Sequence, residues 1–130
     1  SARYIEEQVV IERWLSAVNS AAARNLDLAL EIALCARLIK GYGDTHRHGK
    51  ANFLRILETL VEGNAVAADR DRATAIRKAR EAALADPDGR GREGTLATHG
   101  IVPLPPQPKP IQFMRRPAQE RKVVKRAGLP

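Results

Sequence analysis

The chain has 130 residues, a hydrophobic content of 44% and a formal net charge of +7. That length suits one domain, and with only five aromatic residues its core has to come from Ala, Leu, Val and Ile, which favour packed helices when suitably spaced. The single cysteine, Cys35, excludes an internal disulfide and a complete Fe–S cluster supplied by this chain alone. No secretory signal and no apolar run long enough for a bilayer is visible, so a cytoplasmic protein without a membrane partner is expected. The helical pattern sets in just after Ser1, as in a segment of a longer protein.

The charge is unevenly spread. Residues 1–86 carry 13 Lys/Arg against 12 Asp/Glu, whereas residues 87–130 carry 9 against 3. All eight prolines lie in the second part. The expected organisation is a helical body over 1–86 and an extended, basic, Pro-rich tail or arm over 87–130.

Residues 3–23 read as a first helix. Tyr4, Ile11, Leu15, Val18 and Ala22 recur at helical intervals, Ile5 and Val9 widen the stripe, and Trp14 lies at its edge. Asn25 is the N-cap expected for a second helix, with Asp27 at the positive end of its dipole. Leu28, Ile32, Cys35, Leu38 and Ile39 form its apolar stripe, and the short connection predicts an antiparallel hairpin.

The second helix runs into "KGYGD". Lys40 is expected in its last turn, facing the negative end of the dipole. Gly41 and Gly43 supply left-handed backbone for the exit, and Asp44 or Thr45 caps a third helix. Phe53, Ile56, Leu57 and Leu60 give that helix its buried face, Gly63-Asn64 ends it, and Gly49 permits close packing in its first turns. A fourth helix is predicted from about Val66 to Ala85. Its face of Ala73, Ile76, Ala79, Ala83 and Leu84 is thin, with Arg70, Arg72, Lys78 and Arg80 mostly outside, so it is expected to be the least anchored. No alternating strand pattern and no fixed repeat appears. The fold class predicted is all-α, a bundle of about four helices with an extended tail.

Two phosphate motifs fail on context. "GDTHRHGK" ends like a Walker A loop, but its glycines are misspaced, Ala51 stands where a Ser or Thr should bind magnesium, and a helix precedes it. "GRGREG" matches G-x-G-x-x-G literally but follows a helix and "DPD", which reads as a turn ending the body. His46 and His48, two apart, diverge on a helix and are poorly spaced for a shared metal, even with Asp44 and Cys35 nearby in sequence. Cys35 reads as a small core residue. No Ser/His/Asp or paired-carboxylate arrangement can be argued, so neither catalytic nor metal residues are assigned.

Three readings of the tail stay open: a solvated segment, a peptide for a Pro-binding module, or an arm on a neighbouring subunit. For the arm, Ile111, Phe113 and Met114 are the candidate anchors. Nucleic acid is disfavoured as a partner because no aromatics are interleaved with the basic residues.

The stretch Asn25, Leu26, Leu28, Ala29, Glu31, Ile32, Ala33, then Ile39, Lys40, Gly41, Tyr42 and Gly43, resembles the helical C-terminal region of indolepyruvate oxidoreductase beta subunits. The resemblance is clearest over residues 25–60. It implies a parent complex of the 2-oxoacid:ferredoxin oxidoreductase group, which oxidatively decarboxylates arylpyruvates with thiamine diphosphate and Fe–S centres. The implied role here is non-catalytic: assembly with the complex's other subunits or domains, or with a second copy as a homo-oligomer. The turn Lys40, Gly41, Tyr42, Gly43, Asp44 is the candidate structural or interaction site. The alternative is a stand-alone basic adaptor that holds an anionic partner, nucleic acid or acidic protein, through residues 109–126.

Overall fold

A computed structural model describes residues 1–105. It contains five α-helices: α1 (Ala2–Ala22), α2 (Leu26–Leu34), α3 (Gly43–Ile56), α4 (Asp69–Ala85) and α5 (Arg90–Ala97). A 3₁₀ turn, Cys35–Leu38, tightens the end of α2, and a π-helical turn, Leu57–Val61, extends α3. No strand occurs among the described residues, so the all-α bundle stands.

The first two helices begin as their caps dictate. Ser1 Oγ accepts from the Tyr4 N–H at 3.3 Å, and Asn25 Oδ1 accepts from the Leu28 N–H at 3.0 Å. Helix α5 lies where the sequence placed the start of an extended arm. The turn at 86–89 is present, closed by Gly89 N–H donating to the Asp86 carbonyl at 3.1 Å, but it joins α4 to α5 and does not end the body. The polar run "RGREGT" hides this helix from pattern reading, because its only large apolar residue is Leu96, which is completely buried.

Helix α4 also departs from expectation. It contacts α2, α3 and α5 and lies at the centre of the bundle. Its buried face is Ala73, Ala75, Ile76, Ala79 and Ala83, small enough for neighbouring helices to approach on several sides. Arg80, expected outside, is buried. Its Nη1 donates to Glu31 Oε1 at 2.6 Å and to the Glu31 carbonyl at 3.2 Å, so the charge enters the core already paired.

Helix α1 packs through a different face from the predicted stripe. Val10, Trp14, Ala17 and Val18 pack against the core and Ala21 is buried, whereas Tyr4 and Ile5 are each 62% exposed. At about 100° per residue, the buried face is rotated roughly a quarter turn from the predicted one. Trp14 decides the rotation. Its indole N–H donates to the Ile32 carbonyl at 2.9 Å, and its ring meets Phe53 at a centroid distance of 6.4 Å.

Close approach recurs between α3 and the 3₁₀ turn. A Cβ added at Gly49 would lie 2.0 Å from the Leu38 carbonyl oxygen. Gly49→Ala should gain about 1 kcal/mol of helix propensity but lose more by forcing the two backbones apart, since overpacking costs about 1–3 kcal/mol. Denaturant unfolding should show a net loss; equal or raised stability would mean the contact yields freely.

One carboxylate ties α5 to α3. Glu93 accepts from Arg55 Nε and Nη2, both at 2.9 Å, from Arg92 Nε at 3.0 Å and from the Leu104 N–H at 3.1 Å. Arg55 also donates to the Val102 carbonyl at 2.8 Å, and Arg92 Nη1 donates to the buried Asn52 Oδ1 at 2.6 Å. Burial pushes the Glu93 carboxyl up, but the bonds from Arg55, Leu104 and Arg92 outweigh it and hold it below its ordinary value of 4.5. A carboxyl depressed in the folded state stabilises the fold above its unfolded pKa, and that contribution is lost as the pH falls through the folded value. Stability measured from about pH 6 to about pH 3 should therefore fall less steeply in Glu93→Gln than in the wild type; parallel curves would refute the clamp.

Candidate functional site

The turn between α2 and α3 is built from its glycines. After the 3₁₀ turn, Ile39 is extended, with φ −88° and ψ 104°. Lys40 follows as an exposed coil residue, beyond the helical turn in which it was expected to face the dipole. Gly41 and Gly43 both take left-handed backbone, with φ of +76° and +56°. Tyr42 lies extended between them, is 94% exposed, and occupies the N-cap position of α3 without a side-chain cap. Neither Asp44 nor Thr45 is therefore the cap, because the helix starts at Gly43, upstream of both. Asp44 lies in the first turn and pairs with Arg47, one turn on. The Thr45 methyl packs under Gly41, where an added Cβ would approach Thr45 Cγ2 to 2.7 Å; at Gly43 the same space is open.

Two depressions flank the turn. An open basin of about 400 Å³ is lined by Arg3, Gly41, Tyr42, Gly43, His46 and Arg47. A narrower groove of about 160 Å³ lies between α1 and the Ile39–Phe53 stretch, lined by Glu7, Val10, Ile11, Ile39, His46, Lys50 and Phe53. His46 borders both and joins them into one surface. Among the described residues the ion pairs of this region are Arg47–Asp44 and Lys50–Glu7, the latter at 3.9 Å, which leaves Arg3 and Lys40 without a carboxylate partner.

The other candidate residues are dispersed. His46 is half-buried beside the turn and His48 is exposed. Cys35 is buried in the core, where its thiol donates to the Glu31 carbonyl at 3.4 Å. Burial pushes that thiol up to about 12, against the lowering influence of Arg80, so it stays protonated at neutral pH. No group of three or more His, Cys, Asp or Glu that could hold a metal occurs among the described residues. "GDTHRHGK" forms the opening turns of α3, and "GRGREG" the N-cap and first turns of α5, with Gly89 at φ +95°. Ile111, Phe113 and Met114 lie outside the described residues, as does the basic stretch 109–126.

The residues present fit neither cofactor of the resembled complex. "GDT" at 43–45 lacks the second glycine of a thiamine diphosphate motif and sits at a helix start, and Cys35 offers one buried thiol where a cluster needs four. Sequence reasoning missed Arg3 and the groove. Arg3 is 38 residues from Gly41 and is brought beside the turn only by the packing of α1. It also missed the network that joins buried Asn52 and Arg92 to half-buried Arg55 and Glu93, for which Asn52 inside the apolar run "ANFLRIL" is the one local signal.

Residues 1–59 match a family model described as a family of unknown function, DUF6537. The matched region holds α1, α2, the glycine turn and all of α3. No curated protein and no solved structure matches the chain.

The geometry separates the two glycines. Left-handed backbone costs a residue with a Cβ about 1–2 kcal/mol. Gly43→Ala should lose only that, whereas Gly41→Ala should lose more through its contact with Thr45. Thermal unfolding of both variants checks the order, and Gly43→Ala being the less stable of the two would refute this account.

Proposed function

We propose that this chain is a non-catalytic assembly region of a larger 2-oxoacid oxidoreductase of the indolepyruvate type, docking to the complex's other subunits or domains through α1 and the glycine turn. The observation that carries the reading is where large apolar side chains remain outside. Among the described residues, nine of the twelve exposed large hydrophobics lie from Tyr4 to Tyr42. Concentrated apolar exposure of this kind marks contact surfaces.

The resembling residues support the same reading by their roles. Asn25 caps α2, Leu28, Ala29 and Ile32 enter the core, Glu31 receives Arg80, and the two glycines shape the turn that presents Tyr42. They serve architecture and exposure, as a docking element requires. Decarboxylation with thiamine diphosphate and Fe–S centres belongs, on this reading, to the rest of a cytoplasmic complex.

Co-expression of the full chain with the subunits of a 2-oxoacid:ferredoxin oxidoreductase, followed by size exclusion, tests this directly. The wild type should co-elute, and Tyr42→Asp should weaken association while leaving the fold intact. A folded wild-type chain that elutes alone would defeat the assignment.

A further inference from the structure

We infer that the groove and basin beside the glycine turn receive a segment of a partner chain in which a single apolar anchor is flanked by acidic residues. The inference deepens the assembly reading and rests on it for the existence of a partner. Its physical basis is the pairing of two unlike depressions. The groove presents Val10, Ile11, Ile39 and Phe53, and its volume of about 160 Å³ matches one side chain of Leu or Phe size, since a dry cavity of about 150 Å³ holds one benzene. The basin, across His46, presents Arg3 and Arg47, and Lys40 lies in the chain between Ile39 and Gly41, which line the two depressions.

Charge decides the occupant. Among the described residues, Arg3, Arg47 and Lys50 line the two depressions against Glu7, and Arg47 pairs with Asp44, so Arg3 leaves an excess of positive charge beside an apolar slot. The chain's own arm offers apolar residues, but residues 106–130 carry seven Lys/Arg and one Glu, and such a segment is repelled. A partner segment with Asp or Glu within about two residues of a Leu or Phe satisfies both depressions, because each extended residue spans about 3.3 Å.

The test uses the full chain, labelled with ¹⁵N, and two synthetic probes: acetyl-Asp-Glu-Phe-Glu-Asp-amide and its counterpart with Lys at every acidic position. The acidic peptide should shift the amide signals of Ile39, Tyr42 and His46, and the basic one should not. Arg3→Glu should weaken acidic-peptide binding about tenfold, as expected when a like charge is set against the ligand. Ile39→Ser should weaken it as well, and Arg70→Glu, an exposed change on α4, should leave it unaltered. Equal binding of both peptides, shifts confined to another face, or no shift at millimolar peptide would each overturn the inference. So would the same signals moving with protein concentration alone, which would assign the groove to a second copy. Peptide binding without co-elution of the oxidoreductase subunits would sink the parent assignment and leave the groove standing; co-elution without peptide binding would do the reverse.

Discussion

An aromatic-poor chain must obtain its packing from close approach, and this fold depends on that constraint. Helix α4 presents alanines in place of larger side chains, so α2, α3 and α5 can all reach it. Gly49 does the same for α3 against the Leu38 carbonyl. The large residues Leu28, Ile56, Leu57, Leu60, Ile76 and Leu96 fill what remains and are fully buried. Dispersion between many atoms at short range substitutes for the area that big side chains would bury.

Close approach brings polar groups inside, and the chain satisfies them in pairs. Arg80 enters beside α2 and is received by Glu31 through both side chain and carbonyl. Arg92 enters beside α3 and is received by Asn52, whose own amide donates to the Pro87 carbonyl at 3.1 Å. Each contact joins different parts of the fold, so these groups specify which surfaces meet, whereas alanine faces alone would slide. The fifth helix illustrates the point. It is eight residues long with one buried leucine, too short to be stable by itself, and the Glu93 clamp supplies its fixed attachment to α3.

What the sequence made legible follows from the same physics. Local signals were readable: Asn25 as a cap, left-handed glycines at 41 and 43, Gly49 as a packing residue, and the buried run Phe53, Ile56, Leu57 and Leu60. Signals needing a partner from elsewhere in the chain were not. The face of α1 was misjudged because apolar residues surround much of that helix, and only Trp14 reaching Ile32 chooses among its stripes. Arg80 looked like a surface residue because its acceptor lies 49 positions away. Helix α5 was hidden because its stabilising contacts are ionic and distant, which periodicity does not register. The turn is visible as a turn, but the groove beside it exists only once Val10 and Ile11 of α1 lie opposite Ile39 and Phe53.

The distribution of charge then connects architecture to the exposed surface. Four carboxylates tie distant parts of the body together: Glu62 holds Arg13 at 2.5 Å, Asp69 holds Arg24 at 3.1 Å, Glu93 holds Arg55 and Glu31 holds Arg80. Asp69 lies below its ordinary value chiefly because Arg24 donates to it, with Arg72 adding to the effect. A nearly neutral body that commits several acids to contacts between its elements leaves a local positive excess where arginines and lysines lack such partners. One such place is the turn, where Arg3 lines the basin with an almost fully exposed Tyr42 and His46 joins that basin to the apolar groove. A left-handed glycine on each side holds Tyr42 in extended backbone between two helices, so the aromatic ring is presented from a defined position and not from a loose loop. The glycines thus act through geometry, fixing where Tyr42 stands at the rim of the basin.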